Sequence, residues 1–135
     1  VAKLKLIVVT PERKAADSEA DEVQLPGELG YLGILPGHTP LITLLKTGVL
    51  SFRNAGTERS FAISSGFAEI ANDTVSVLAD LAEGPGEINP GRAEEERARA
   101  EEEMRTASGE TLGEIRSRLE LAAARLAVAR PPVER

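Results

Sequence analysis

The chain has 135 residues, 41% of them apolar and 28% charged, a balance of globular and not of disordered chains. It has no cysteine and no tryptophan, which removes disulfides, thiolate metal sites and Cys nucleophiles. Three Phe and one Tyr give no stacking platform for nucleic acid, and the net charge of −6 repels phosphate backbones.

Residues 3–9 alternate and then become fully apolar, which predicts a strand with one exposed end, closed by Pro11. Lys3 and Lys5 come with no apolar leader and no cleavage site, so this start reads as a strand of a cytosolic-type protein. The longest apolar run, residues 6–9, is far short of the roughly 20 residues of a membrane span. Residues 20–25 alternate again, with Val23 and Leu25 on one face. Residues 25–41 are punctuated by Gly27, Gly30, Gly33, Pro36 and Gly37 and read as a loop of turns. Strands are expected at 48–52, 59–64, 66–71 and 74–79. Asn54-Ala55-Gly56-Thr57 and Asn72-Asp73 are the tight turns, with Asn54 and Gly56 suited to positive φ. This close spacing predicts an all-β sandwich of about ten short strands over residues 1–83.

Glu83-Gly84-Pro85-Gly86 ends the strand pattern, and residues 84–88 read as a linker. Residues 89–135 then form a two-helix arm. Asn89 is an N-cap and Pro90 the first helical residue. Glu95–Arg99 and Glu101–Arg105 are the expected i,i+4 pairs. Ser108-Gly109 breaks the first helix, and a second runs from about residue 110 to Arg130, stopped by Pro131-Pro132. Its seam is Leu112, Ile115, Leu119, Ala122, Leu126 and Ala129. The first helix answers only with Ala93, Ala100, Met104 and Ala107. The hairpin is therefore antiparallel and marginally stable alone, with Leu121 and Val128 left to make a second contact surface. The fold class is a sandwich followed by an antiparallel α-helical hairpin.

Catalytic motifs fail one by one. The glycines of 27–33 lack phosphate-loop spacing. His38, the single histidine, has neither a triad partner nor a second metal ligand in pattern. Ser64-Ser65-Gly66 is no nucleophile elbow. The glutamates of 94–96 and 101–103 lie on a helix without a calcium loop. A stand-alone ligand-binding sandwich with an interaction hairpin is the alternative reading. It needs a lined pocket that four aromatic residues barely permit.

The stretch Pro26-Gly27-Glu28-Leu29-Gly30, then Gly33-Ile34-Leu35-Pro36-Gly37-His38-Thr39-Pro40-Leu41 and Thr47-Gly48-Val49-Leu50, resembles the epsilon subunit of F-type ATP synthases. The order continues through Gly66-Phe67-Ala68-Glu69-Ile70, Asn72-Asp73 and Val75-Ser76-Val77-Leu78 into the hairpin, so the similarity covers essentially the whole chain. The resemblance implies a flattened sandwich bound to the gamma subunit and the c-ring, in the rotor of a proton-translocating complex. It implies a non-catalytic protein, peripheral on the cytoplasmic face of a bacterial inner membrane. It also implies an arm that either folds on the sandwich or extends along gamma and inhibits ATP hydrolysis, with Arg116, Arg118 and Arg125 meeting carboxylates of the beta subunit within the alpha–beta head. Glu28, Tyr31 and His38 would face gamma or the c-ring. Some bacterial members bind ATP through an Asp-x-x-Arg-Ala motif. Here the stretch is Ile88, Asn89, Pro90, Gly91, Arg92, Ala93, and Asn in place of Asp implies no cofactor beyond weak regulatory ATP binding.

Overall fold

The structure is a computed structural model that describes residues 2–129. Eight strands are followed by a 3-10 turn and two helices. The strands are β1 (Leu4–Val9), β2 (Lys14–Ala20), β3 (Glu22–Gly27), β4 (Gly30–Ile34), β5 (Leu41–Leu45), β6 (Gly48–Asn54), β7 (Thr57–Ala71) and β8 (Thr74–Glu83). After the turn Pro85–Glu87 come α1 (Pro90–Met104) and α2 (Glu110–Ala129). Arg130 and the predicted stop at Pro131-Pro132 lie outside the described residues.

The expectation of about ten short strands is corrected to eight. The stretches 59–64 and 66–71 are one strand of 15 residues, β7. The periodicity misled because the core-facing parity changes along it. Phe61 and Ile63 face the central core before the change, and Ala68 and Ile70 after it. β8 changes in step, from Val75, Val77 and Ala79 to Ala82. A Cβ at Gly66 would lie 1.9 Å from the Leu78 carbonyl oxygen, so the strands can approach this closely only with glycine there.

The bend lets one pair of strands serve both layers. The second half of β7 pairs with β5, and β8 pairs in parallel with β1, which carries β2 on its far edge. The first half of β7 pairs with β6, which pairs with β3 and so reaches β4. Leu6, Val8, Val23, Leu25, Leu50, Ile63, Val75 and Val77 fill the space between the layers, all fully buried. Phe52 and Phe61 stack with centroids 6.5 Å apart.

The sequence reading missed β2 and β5 and took 25–41 for a loop. β2 reads Lys-Ala-Ala-Asp-Ser-Glu-Ala and buries only Ala20 fully, because it is an edge strand. Within 25–41, β3 and β4 form a hairpin on Glu28-Leu29, with Pro26 opposite Tyr31. Gly27 is required there, since a Cβ would sit 2.6 Å from the Gly30 oxygen.

The β6–β7 turn also differs from expectation. Its positive-φ residues are Ala55 (52°) and Gly56 (84°), not Asn54. Asn54 ends β6 and accepts a bond from Lys3 Nζ at 2.8 Å. Asp21, between β2 and β3, accepts the Ala55 N–H at 2.9 Å and ion-pairs with Lys3 at 2.6 Å. Lys3 first, then the Ala55 N–H, hold the Asp21 carboxyl below the usual aspartate range. An alanine in the left-handed region costs about 1–2 kcal/mol, and this network holds it in place. Ala55 is exposed and its methyl group has no burial to lose. Ala55→Gly should therefore stabilise the chain by about 0.5–1 kcal/mol in urea unfolding, the relief of strain exceeding the added chain entropy. A loss of stability would show that the methyl group makes a contact worth more than the strain.

Candidate functional site

The helices lie on the outside of the β6–β7 layer. α1 packs on α2, and α2 packs on β6, β7 and the 3-10 turn. α2 thus uses two faces. Ile115 and Ala122 belong to its predicted seam and are buried. Ala124 and Val128 point to the sandwich, where they pack with Ala62, Val49 and Ile88. Asn89 caps α1 as expected: its side-chain oxygen accepts the Arg92 N–H at 3.1 Å. The predicted glutamate–arginine pairs of α1 are replaced. Arg97 lies between Glu94 and Glu101, and Arg105 pairs with Glu102 at 3.3 Å.

A cleft of about 560 Å3 opens where β8, the 3-10 turn, α1 and α2 meet. That is within the range of small-molecule pockets. Ile88, Asn89, Arg92 and Ala93, the motif residues of the sequence, all line it. It also takes Glu83 from β8, Glu87 from the turn, Glu95, Glu96 and Arg99 from α1, and Arg125 from α2. Sequence reasoning missed five of these six and named Arg125 only as a contact to a partner. Arg92, Glu95, Glu96 and Arg99 do share the i, i+3, i+4, i+7 spacing of one helix face, and that signal was available. Glu83 and Arg125 are separated by too much chain for any local pattern to join them.

Arg125 is already engaged. Its Nε lies 2.7 Å from Glu83 Oε1 and its Nη2 3.2 Å from Oε2, a two-pronged pair at less than a quarter exposure of either side chain. Glu96 adds a second carboxylate at 3.7 Å. One arginine of α2 thus bridges β8 and α1. Arg92 and Arg99 make no ion pair among the described residues. Four glutamates against three arginines leave the cleft slightly negative, a weak setting for a polyphosphate. Among the described residues no cluster of three acidic or histidine side chains could hold a metal ion.

The other candidate residues are scattered. Arg118 pairs with Glu103 across the hairpin at 2.5 Å, and Arg116 is exposed without an ion pair among the described residues. Glu28 is exposed in the β3–β4 turn, in a crevice that Arg118 also lines. The Tyr31 hydroxyl accepts the Val49 N–H at 3.1 Å, so this ring is half structural and 56% exposed. His38, on the β4–β5 connection, is half-buried, and its Nδ1 donates to the Thr39 carbonyl at 2.6 Å.

The opposite layer carries a feature that single strands did not reveal. Leu44, Phe67, Leu78 and Val9 are cross-strand neighbours on β5, β7, β8 and β1. They form one row across the sheet on its outer face. Leu44 is 60%, Phe67 42% and Leu78 44% exposed, with Ile42 beside them at 70%. Together they make one continuous apolar row at the surface.

Residues 3–85 match the family described as the ATP synthase Delta/Epsilon chain, beta-sandwich domain. An ATP synthase epsilon chain of Myxococcus xanthus is 39% identical over 130 residues, covering 96% of this chain and 93% of that protein. One of Koribacter versatilis is 44% identical over 103 residues, 76% of this chain and 72% of that one. A chain in the Euglena gracilis mitochondrial ATP synthase, in a structure of its OSCP, F1 and c-ring, superposes with a TM-score of 0.81 at 18% identity, over 92% of this chain and 79% of that chain, a likeness of fold.

Glu87 tests the geometry around the cleft. Its carboxylate accepts the Gly84 N–H at 3.0 Å, and that bond first, then Arg13, hold it below the usual glutamate range against the opposing effect of burial. A carboxyl depressed in the folded state stabilises above its unfolded pKa, and that contribution is lost as pH falls through the folded value. The turn should therefore hold through the ordinary glutamate range and loosen only below it. A carbon-detected titration of Glu87 should give a midpoint below that of an exposed glutamate. Arg13→Ala should raise that midpoint only part of the way. A full return to the ordinary value would mean that the Gly84 bond contributes nothing.

Proposed function

We propose, from the fact that this chain belongs to the ATP synthase Delta/Epsilon chain family, that it is the epsilon-type subunit of the central stalk. In this reading it is non-catalytic. Its sandwich couples the F1 head to the c-ring, and its arm restrains ATP hydrolysis. The outer apolar row carries the reading: Leu44, Phe67 and Leu78 are exposed and contiguous across three strands, as a docking surface requires.

Gamma is the partner we assign to this row. The tip that presents Glu28, Leu29 and Tyr31, with His38 nearby, is assigned to the c-ring. The chain then stands at the cytoplasmic face of the bacterial inner membrane, held there by the complex. No helix among the described residues is long and apolar enough to cross a membrane.

The arm is folded against the sandwich. For it to extend along gamma, α2 must give up Ala124, Val128 and the Arg125–Glu83 pair. Arg125 is then free for carboxylates of the beta subunit and its alpha neighbour, beside Arg116, which has no ion pair among the described residues, and Arg118, which can exchange Glu103 for them. Folded and extended states thus compete for Arg125. Nucleotide in the cleft would meet Arg92 and Arg99 and favour the folded state. Asn89 is spent on its cap and the surrounding glutamates oppose the phosphates, so such ATP binding is weak.

Two variants of the assembled complex test the proposal. Phe67→Asp replaces an exposed side chain, so the subunit should fold normally yet bind gamma at least tenfold more weakly, which is the loss of about 1.4 kcal/mol or more. Removing residues 89–135 should leave assembly intact and raise ATP hydrolysis. Unchanged binding by the Phe67 variant would take gamma off the apolar row. Unchanged hydrolysis without the arm would remove the regulatory half of the proposal.

A further inference from the structure

The glycines and proline at 84–86 look like the obvious hinge for a moving arm, but their surroundings argue otherwise. Gly84 is buried, and its N–H is held by Glu87 at 3.0 Å. The Glu87 N–H returns a bond to the Gly84 carbonyl at 3.0 Å, closing the turn on itself. Arg13, on the β1–β2 connection, then fixes this turn to the sandwich. Its Nη2 lies 2.9 and 2.8 Å from the two Glu87 oxygens and donates at 2.9 Å to the Ala82 carbonyl of β8.

Asn89, two residues on, belongs to the other body. Its side chain caps the Arg92 N–H and its carbonyl accepts the Ala93 N–H at 3.0 Å. Between them Ile88 is extended (φ −105°, ψ 132°), and so is Asn89 (φ −92°, ψ 107°). The Ile88 N–H makes only a long bond of 3.4 Å to Pro85. The backbone bonds around the Ile88–Asn89 peptide are therefore the first that can rotate without breaking a short hydrogen bond on either side.

We propose that Arg13 and Glu87 clamp residues 84–87 onto the sandwich, so that the arm pivots at Ile88–Asn89 and not at the glycine–proline turn. The clamp rests on the reading that the arm moves. It makes the 3-10 turn part of the rotor body and lets the helices leave as a rigid pair from a fixed point. Glu87 also lines the cleft, so the wall it forms stays behind when α1 departs.

The chain has no cysteine, so spin labels can be placed at will. Three exposed positions serve: Glu69 on β7, Gly86 in the turn, where an added Cβ meets nothing within 4 Å, and Ala98 on α1. In the full-length chain, Val128→Asp should broaden the 69–98 distance distribution and leave 69–86 as narrow as in the parent. Adding Arg13→Ala should then broaden 69–86 as well. Equal broadening of both pairs in Val128→Asp alone would place the pivot at the glycine–proline turn and overturn the proposal. A second measurement does not depend on releasing the arm. With the arm docked, Arg13→Ala should speed exchange of the Gly84 amide about tenfold, and no change would overturn the clamp. Both readouts use the isolated subunit, so an arm that proves not to inhibit hydrolysis would defeat the regulatory reading without touching the hinge.

Discussion

Ala124 and Val128 of α2 carry the apolar contact between the arm and the sandwich, resting on Ala62, Val49 and Ile88. Burying a valine side chain is worth about 1.5–3 kcal/mol and an alanine methyl group much less. The Arg125–Glu83 pair adds a contribution that solvent screens only in part, since both side chains are mostly covered. Against these stands the entropy of holding two helices in place. In the proposed reading this balance is small enough for the helices to separate as an arm.

The sandwich has a different economy. Its central core draws buried residues from all eight strands, and β7 and β8 bind the two layers through one ladder. No helix residue belongs to that core. Ala62 looks outward to α2 while its neighbour Ile63 looks inward, so one strand separates the central core from the helical cover. The far layer turns its apolar row to the outside. In the proposed reading, one face goes to a permanent partner and the other to a conditional one.

Much of this was legible in the residues. Asn89 and Pro90 announced the start of α1, and Asn72-Asp73 the turn before β8, both of whose residues have positive φ. The heptad spacing of α2 found the seam, and Val128, left off it, pointed to the second surface. The misses have physical causes. β2 is polar because it is an edge strand, and β7 hid its continuity because bending at Gly66 exchanges the face that looks inward. The turn at Ala55 could not be read, because its strain is held by Asp21 and Lys3, which are distant in the chain. The cleft was half legible: local spacing gave its motif, while Glu83 and Arg125 meet only through the fold. The resemblance to a known family supplied partners that no pattern of spacing could.

The central claim is that the arm is a weakly held cover on an independently stable sandwich. Native-state amide exchange of the full-length chain over a series of low denaturant concentrations tests it most directly. The amides of α1 and α2 should open together, with a free energy lower than those of β7 and β8 by about 2 kcal/mol or more. If the buried residues of α2, Ile115 and Ala122, share the opening free energy of Val75 and Val77, the helices are part of one cooperative unit and the account fails.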